Sequence, residues 1–263
     1  MNITNDLSQR AKRLLRSAVP WLLVVALALF ASCGDDGGEA DGSVAPTASP
    51  GGPPLEGSLF ANASFEEGEA PWVSLESWGT QFAVSDDVAH SGGHSAFLEL
   101  RSEGAEDQPA RVFGVVQEVT PDEFPDVVSG YYYVDRWEPG TPKQYMQFVV
   151  IVFGADNIPA EAAPATNHQI RYILAGVDSP PIAITNARFV MVGTGAPKQG
   201  EWVRFERNIR EDFEQLWGSV PEGHDFIRIL FEARWDERAP DAPASAADVY
   251  YDDLYAGPAP VTP

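Results

Sequence analysis

A single cysteine, Cys33, in 263 residues excludes an internal disulfide, so any exported fold here must hold through its core or a metal. Basic residues are scarce: 17 Lys and Arg stand against 39 Asp and Glu, a formal charge of -22. That balance excludes a nucleic-acid surface and direct adhesion to anionic lipid, and favours solubility and cation binding. The apolar run Ala18–Ala31 spans 14 residues. It falls short of the roughly 20 that a membrane-spanning helix needs. The chain also lacks an internal repeat, a Gly-x-Ser-x-Gly element, a Cys/His pair and a phosphate-cradling glycine loop.

What is present begins with Arg10, Lys12, Arg13 and Arg16 ahead of that apolar run, the layout of a signal peptide over 1–32. The run ends in Phe30-Ala31-Ser32-Cys33, which resembles a bacterial lipobox, with Phe30 where Leu is usual. The resemblance implies cleavage before Cys33, a diacylglycerol on its thiol, and a protein anchored to a bacterial cell or outer membrane, facing periplasm or exterior. An ordinary secretory signal with an incidental cysteine is the alternative. Removing 1–32 takes four basic residues and one acidic one, moving the charge from -22 to -25. Apart from Cys33, Val44 and Leu55, residues 33–55 are Gly, Ala, Ser, Pro, Thr, Asp and Glu, a composition with almost nothing to bury that reads as a disordered linker.

From 56 to 258 short β-branched and aromatic runs alternate with Gly, Pro, Asp and Asn, followed by a tail at 259–263. Nine or more strands and one helix, Arg210–Gly218, are predicted, hence an all-β, two-sheet antiparallel sandwich. Alternation assigns faces: Ile227, Ile229, Phe231, Ala233 and Trp235 to a core, Arg228, Leu230, Glu232 and Arg234 to the other side. Tyr131, Tyr133, Asp135 and Trp137 fall on one parity. Trp137, Trp202 and Trp235 are expected to be more buried than exposed. From Phe148 to Phe153 both parities are apolar, as in a central strand covered on both sides.

Three segments carry a resemblance: Asn62–Trp72 with its Asn-x-x-Phe-Glu, the turn His90-Ser91-Gly92-Gly93-His94, and Val249–Tyr255 with two adjacent aspartates. In order and position they resemble the galactose-binding-like jelly-roll modules, which include many carbohydrate-binding modules. The resemblance implies a structural calcium ion, bound by Glu66 and Asp252 with carbonyls from the turn between Ser91 and His94, and Asp253 facing the opposite side. A solvated strand end is the bland alternative. His90 and His94 flank a turn, where no helix aligns them for zinc, and His168 and His224 are read as loop residues.

Sugar rings stack on aromatic faces while planar polar side chains bond hydroxyls. The candidate ligand residues are therefore Tyr133, Gln147, Arg171, Arg204, Glu206, Arg228, Glu232 and Arg234. Cross-strand ion pairing is the plain alternative for the charged ones. No catalytic residue is assigned. The resulting expectation is a lipid-anchored, calcium-stabilised sandwich that binds polysaccharide or another extracytoplasmic partner without catalysis and contacts the membrane only through its lipid. A jelly-roll polysaccharide lyase or glycoside hydrolase is the second expectation, and a structural or adhesion protein with a protein partner the third. The long segment from Ala163 to Phe189 either covers or opens the groove that separates these readings.

Overall fold

The computed structural model describes residues 56–74, 79–158 and 167–259. The signal segment, Cys33, the linker to 55 and the end of the tail lie outside them. Twelve strands and one helix occur among the described residues: β1 (Val73–Ser74), β2 (Gly79–Thr80), β3 (Ala83–Ser85), β4 (Ser95–Arg101), β5 (Arg111–Val119), β6 (Val127–Glu138), β7 (Gln144–Phe153), β8 (Asn167–Ala175), β9 (Ala187–Met191), β10 (Trp202–Asn208), α1 (Ile209–Trp217), β11 (Phe226–Trp235) and β12 (Ala246–Gly257). They form a seven-stranded sheet ordered β1-β5-β11-β7-β8-β9, with β2 also on β5, and a five-stranded sheet ordered β10-β6-β12-β4-β3. Pairing is antiparallel except for β2 on β5 and β8 on β9. The fold is the all-β, two-sheet jelly-roll sandwich expected from the strand pattern, with those two parallel edges as a correction.

The core lies between the sheets. Phe231 on β11 is fully buried and meets the rings of Phe60, Trp72, Phe148, Phe205 and Tyr251, so both sheets and the first segment converge on it. Burying one such side chain is worth about 1.5–3 kcal/mol. A second apolar cluster of Val116, Val149 and Leu230 sits on the outer side of the seven-stranded sheet, which is why β7 is apolar on both parities.

α1 begins where the Asn208 side chain accepts from the Glu211 N–H and ends at Gly218, whose φ of 86° only glycine adopts cheaply. Its Phe213 and Trp217 bury into the core, and Asp212 accepts a bidentate bond from Arg207.

All three tryptophans are more buried than exposed, but Trp137 does not share the outward parity of Tyr131 and Tyr133. Opposite β12 the register slips between Asp248 and Val249, so Arg136 and Val134 become successive partners and Asp135 is the extra residue. The bulge turns Trp137 into the core. His168 belongs to β8, not to a loop, and its ring packs edge-on against Trp217.

Candidate functional site

The turn between β3 and β4 is clasped from two sides by carboxylates. Asp252, fully buried, accepts from the backbone N–H of His90 (2.7 Å) and Ser91 (3.1 Å) on one oxygen and from Asp253 (2.7 Å) on the other. Glu66 accepts from the N–H of Gly93 and His94, both at 2.9 Å, and lies 3.2 Å from His94 Nδ1. Gly92 suits this turn: at φ 64° another side chain would be strained, and its Cβ would stand 2.3 Å from Glu66 Oε1, which would have to move.

Burial pushes the Asp252 carboxyl up to about 8, with the adjacent Asp253 charge adding to it against the three N–H bonds. For Glu66, burial works upward, yet the bonds from Gly93 and His94 outweigh it and hold the group below its usual range.

Glu66, Ser91, His94 and Asp252 thus come together as the sequence suggested, but Asp253 does not face the opposite side. A bulge between Asp252 and Tyr255, with Asp253 at φ 48°, brings its carboxylate onto the same turn, accepting from Ser91 Oγ at 2.6 Å and lying 2.6 Å from His90 Nδ1. Calcium takes six to eight oxygen ligands. Here both oxygens of Asp252 and Oε1 of Glu66 already accept N–H groups, and among the described residues no three His, Cys, Asp or Glu side chains are grouped to hold a metal. This donor set does not fit the ion as it stands.

The outer face of the seven-stranded sheet gathers a different constellation. Strand register sets Val112, Arg234 and Tyr145 in one cross-strand row, Gly114, Glu232, Gln147 and Ile173 in the next, and Val116, Leu230, Val149 and Arg171 in a third. Tyr145 Oη donates to Asp236 at 2.5 Å, Arg234 holds Asp236 through two nitrogens at 2.7 and 2.9 Å, and Gln147 Nε2 donates to Glu232 at 2.5 Å.

Arg171 donates through Nε to Gln169 Oε1 at 3.0 Å. Arg171 is 8% exposed and Gln147 fully buried, and Arg171 Nη1 and Gln147 Oε1 have no hydrogen-bond partner among the described residues. Ten buried side-chain atoms among the described residues lack such a partner, each worth about 1–3 kcal/mol if left unmet, and these two stand at diagonally adjacent positions of β7 and β8.

The electrostatics follow from burial. Desolvation lowers the Arg171 guanidinium, and Glu232 opposes that. For Arg234 desolvation also works downward, but the charges of Glu232 and Asp236 and the bond to Asp236 leave it raised. Tyr145 is pushed well above its ordinary value, by burial first and by Asp236 and Glu232 after it.

Of the eight candidate ligand residues, Gln147, Arg171, Glu232 and Arg234 meet in this cluster. Arg228 shares the face but pairs with Glu118, its Nε at 2.9 Å. Tyr133, Arg204 and Glu206 lie on the outer side of the five-stranded sheet, because β6 and β10 pair there. They cannot share a groove with Arg171. Tyr145, Gln169 and Asp236 were not singled out, although Tyr145 stands two residues before Gln147 and Asp236 two after Arg234, within reach of the same alternation.

From the flanking segment, Val177 packs with Tyr145 and Ile173, against Phe189 and Met191.

No protein-family model and no curated protein matches the chain. Among solved structures it is similar to a CBM61 module solved with β-1,4-galactotriose, at 13% identity over 76% of this chain and 97% of that one, with a TM-score of 0.39. It is also similar to a CBM22-2 xylan-binding domain from Paenibacillus barcinonensis Xyn10C, at 16% identity over 74% and 96%, TM-score 0.42. A CBM28 module specific for non-crystalline cellulose aligns at 13% identity over 81% and 99%, TM-score 0.34. The assignment of the fold rests on the strand pairing within the chain itself.

Proposed function

We propose that the outer face of the seven-stranded sheet binds carbohydrate, with Gln147 and Arg171 as the residues that bond a sugar hydroxyl and Glu232, Arg234, Tyr145 and Asp236 as the frame that positions them. The pair of orphans carries the reading. Glu232 takes the amide nitrogen of Gln147, which leaves Oε1 as a bare acceptor, while Arg171 Nη1 is a bare donor on a diagonally adjacent position. A hydroxyl both donates and accepts, so sugar hydroxyls answer both needs at once.

Both atoms are shielded from solvent. Association slower than for an open groove is therefore expected.

A lyase is the second reading, because Tyr145, Gln147, Arg171 and Arg234 do converge. A general base works best with its pKa near the operating pH. Tyr145 is driven away from that range and is bonded to Asp236, and His168 lies on the opposite parity against Trp217, so binding without bond cleavage is the better-supported activity. Titrating the full chain with a panel of polysaccharides, while following reducing ends and unsaturated-sugar absorbance in the same samples, tests this. Binding without product is expected; product would make the cluster an active site.

The same proposal has the protein exported and held to a bacterial membrane by lipid on Cys33, resting on the Ala18–Ala31 run and the Ser32-Cys33 step. Incorporation of labelled palmitate, lost in Cys33→Ser, is the expected result.

A further inference from the structure

We infer that the glycan taken by this face is uncharged, and that uronate-bearing or sulfated chains are rejected at the Gln147–Arg171 position. The inference rests on the carbohydrate reading above and adds the class of carbohydrate.

Arg171 alone suggests the opposite, since a buried guanidinium with an open nitrogen is a natural hook for a carboxylate. Its neighbours decide against that. Glu232 and Asp236 are buried beside Arg171 and Arg234, so the formal charges of the cluster already cancel. An added anion would bring a third negative charge into a region of low dielectric beside Glu232, whose side chain is 1% exposed.

The second orphan points the same way. Gln147 Oε1 is an acceptor, and Glu232 fixes its orientation by holding Nε2 at 2.5 Å, so the amide cannot rotate to present a donor instead. A carboxylate or sulfate has no proton to give it. A hydroxyl does.

Among the described residues the remaining cation on the strands of this face, Arg228, is held by Glu118 and lies over the rings of Phe153 and Phe226. At the scale of the whole chain, a charge of -22 repels a polyanion during approach.

The test uses matched polymers on the full chain by isothermal titration: polygalacturonate against the same polymer after carboxyl reduction, and alginate against xylan, at about 0.15 M and about 1 M salt. High salt screens the long-range repulsion and leaves the preference of the site itself. The uncharged member of each pair is expected to bind at least about tenfold tighter at both salts, the size of one unmet buried polar group.

Gln147→Leu and Arg171→Met are each expected to weaken binding of the uncharged polymer by about tenfold or more. Their thermal midpoints, read in parallel, separate loss of a contact from loss of the fold. Equal or tighter binding of the uronate polymer at high salt overturns the inference while leaving the carbohydrate reading intact. Unchanged binding in both folded variants places the ligand elsewhere and overturns it as well. Silence from every polymer removes the carbohydrate reading and the inference with it.

Discussion

The two outer faces of this sandwich carry similar residue types and treat them differently. On the five-stranded sheet Arg204 bonds Glu206 two residues along the same strand, their side chains 55% and 41% exposed, and Arg136 does the same with Glu138. On the seven-stranded sheet Arg234 bonds Asp236 across the same interval, but those side chains are 5% and 7% exposed. The first arrangement closes on itself in water, where an ion pair is worth about 0–1 kcal/mol. The second is sealed and joined to Tyr145, Gln147 and Glu232; buried atoms without a partner among the described residues occur on both faces, Gln147 Oε1 and Arg171 Nη1 on this one and Trp202 Nε1 on the other. Spacing along a strand therefore says little about a charged pair until its burial is known.

Asp236→Ala should break the contrast most sharply, because it removes the nearest carboxylate of Arg234 and the acceptor of Tyr145. A loss of about 3–5 kcal/mol in chemical denaturation is expected. A loss below about 1 kcal/mol would show that the two faces are electrostatically alike.

Tyr145→Phe deletes one hydrogen bond to a charged group and should cost about 1.5–3 kcal/mol. It also has a pH signature. The native Tyr145 pKa lies above the unfolded value of about 10, so the unfolded chain releases its proton first and stability falls as pH rises past 10. Stability measured between pH 9 and about 11 should therefore decline less steeply in Tyr145→Phe than in the parent, and identical slopes would count against a buried tyrosine there.

Glu206→Ala, the control on the other face, should change stability by no more than about 1 kcal/mol and leave polysaccharide binding as it was.

The smallest effect is expected where the turn His90–His94 meets β12. With the carboxylates already bonded to N–H groups, EDTA should move the thermal midpoint by about 1 °C or less. A rise of several degrees on adding calcium, the size that saturating a site gives a domain of this length, would show that the turn rearranges to bind the ion.

Much of this was legible beforehand, and the failures are instructive. Alternation assigned Ile227 to Trp235 and Arg228 to Arg234 to their correct sides, because β11 runs without a break. It failed at Trp137, where one extra residue at Asp135 reverses the parity, and at Asp253, where a left-handed residue folds the side chain back. Neither bulge has a glycine or proline to announce it.

The candidate site was half legible for another reason. Parity tells in from out, but it does not say which sheet a strand joins. Arg171 and Arg204 looked equivalent until β8 was found beside β7 and β10 beside β6, a matter of long-range pairing. Orphaned atoms have no sequence signature at all, since they depend on which neighbour claims the other end of the same amide.

The position of β12 has a consequence for how the molecule is made. It lies in the middle of the five-stranded sheet, between β6 and β4, which do not pair with each other, and Ala256 accepts the N–H of Leu59. Until Ala246–Gly257 has left the ribosome, that sheet exists only as two separate halves with open edges. The domain therefore completes itself after synthesis of this strand rather than during it, and a chain cut before Ala246 exposes the edges of β4 and β6 to pairing with other chains.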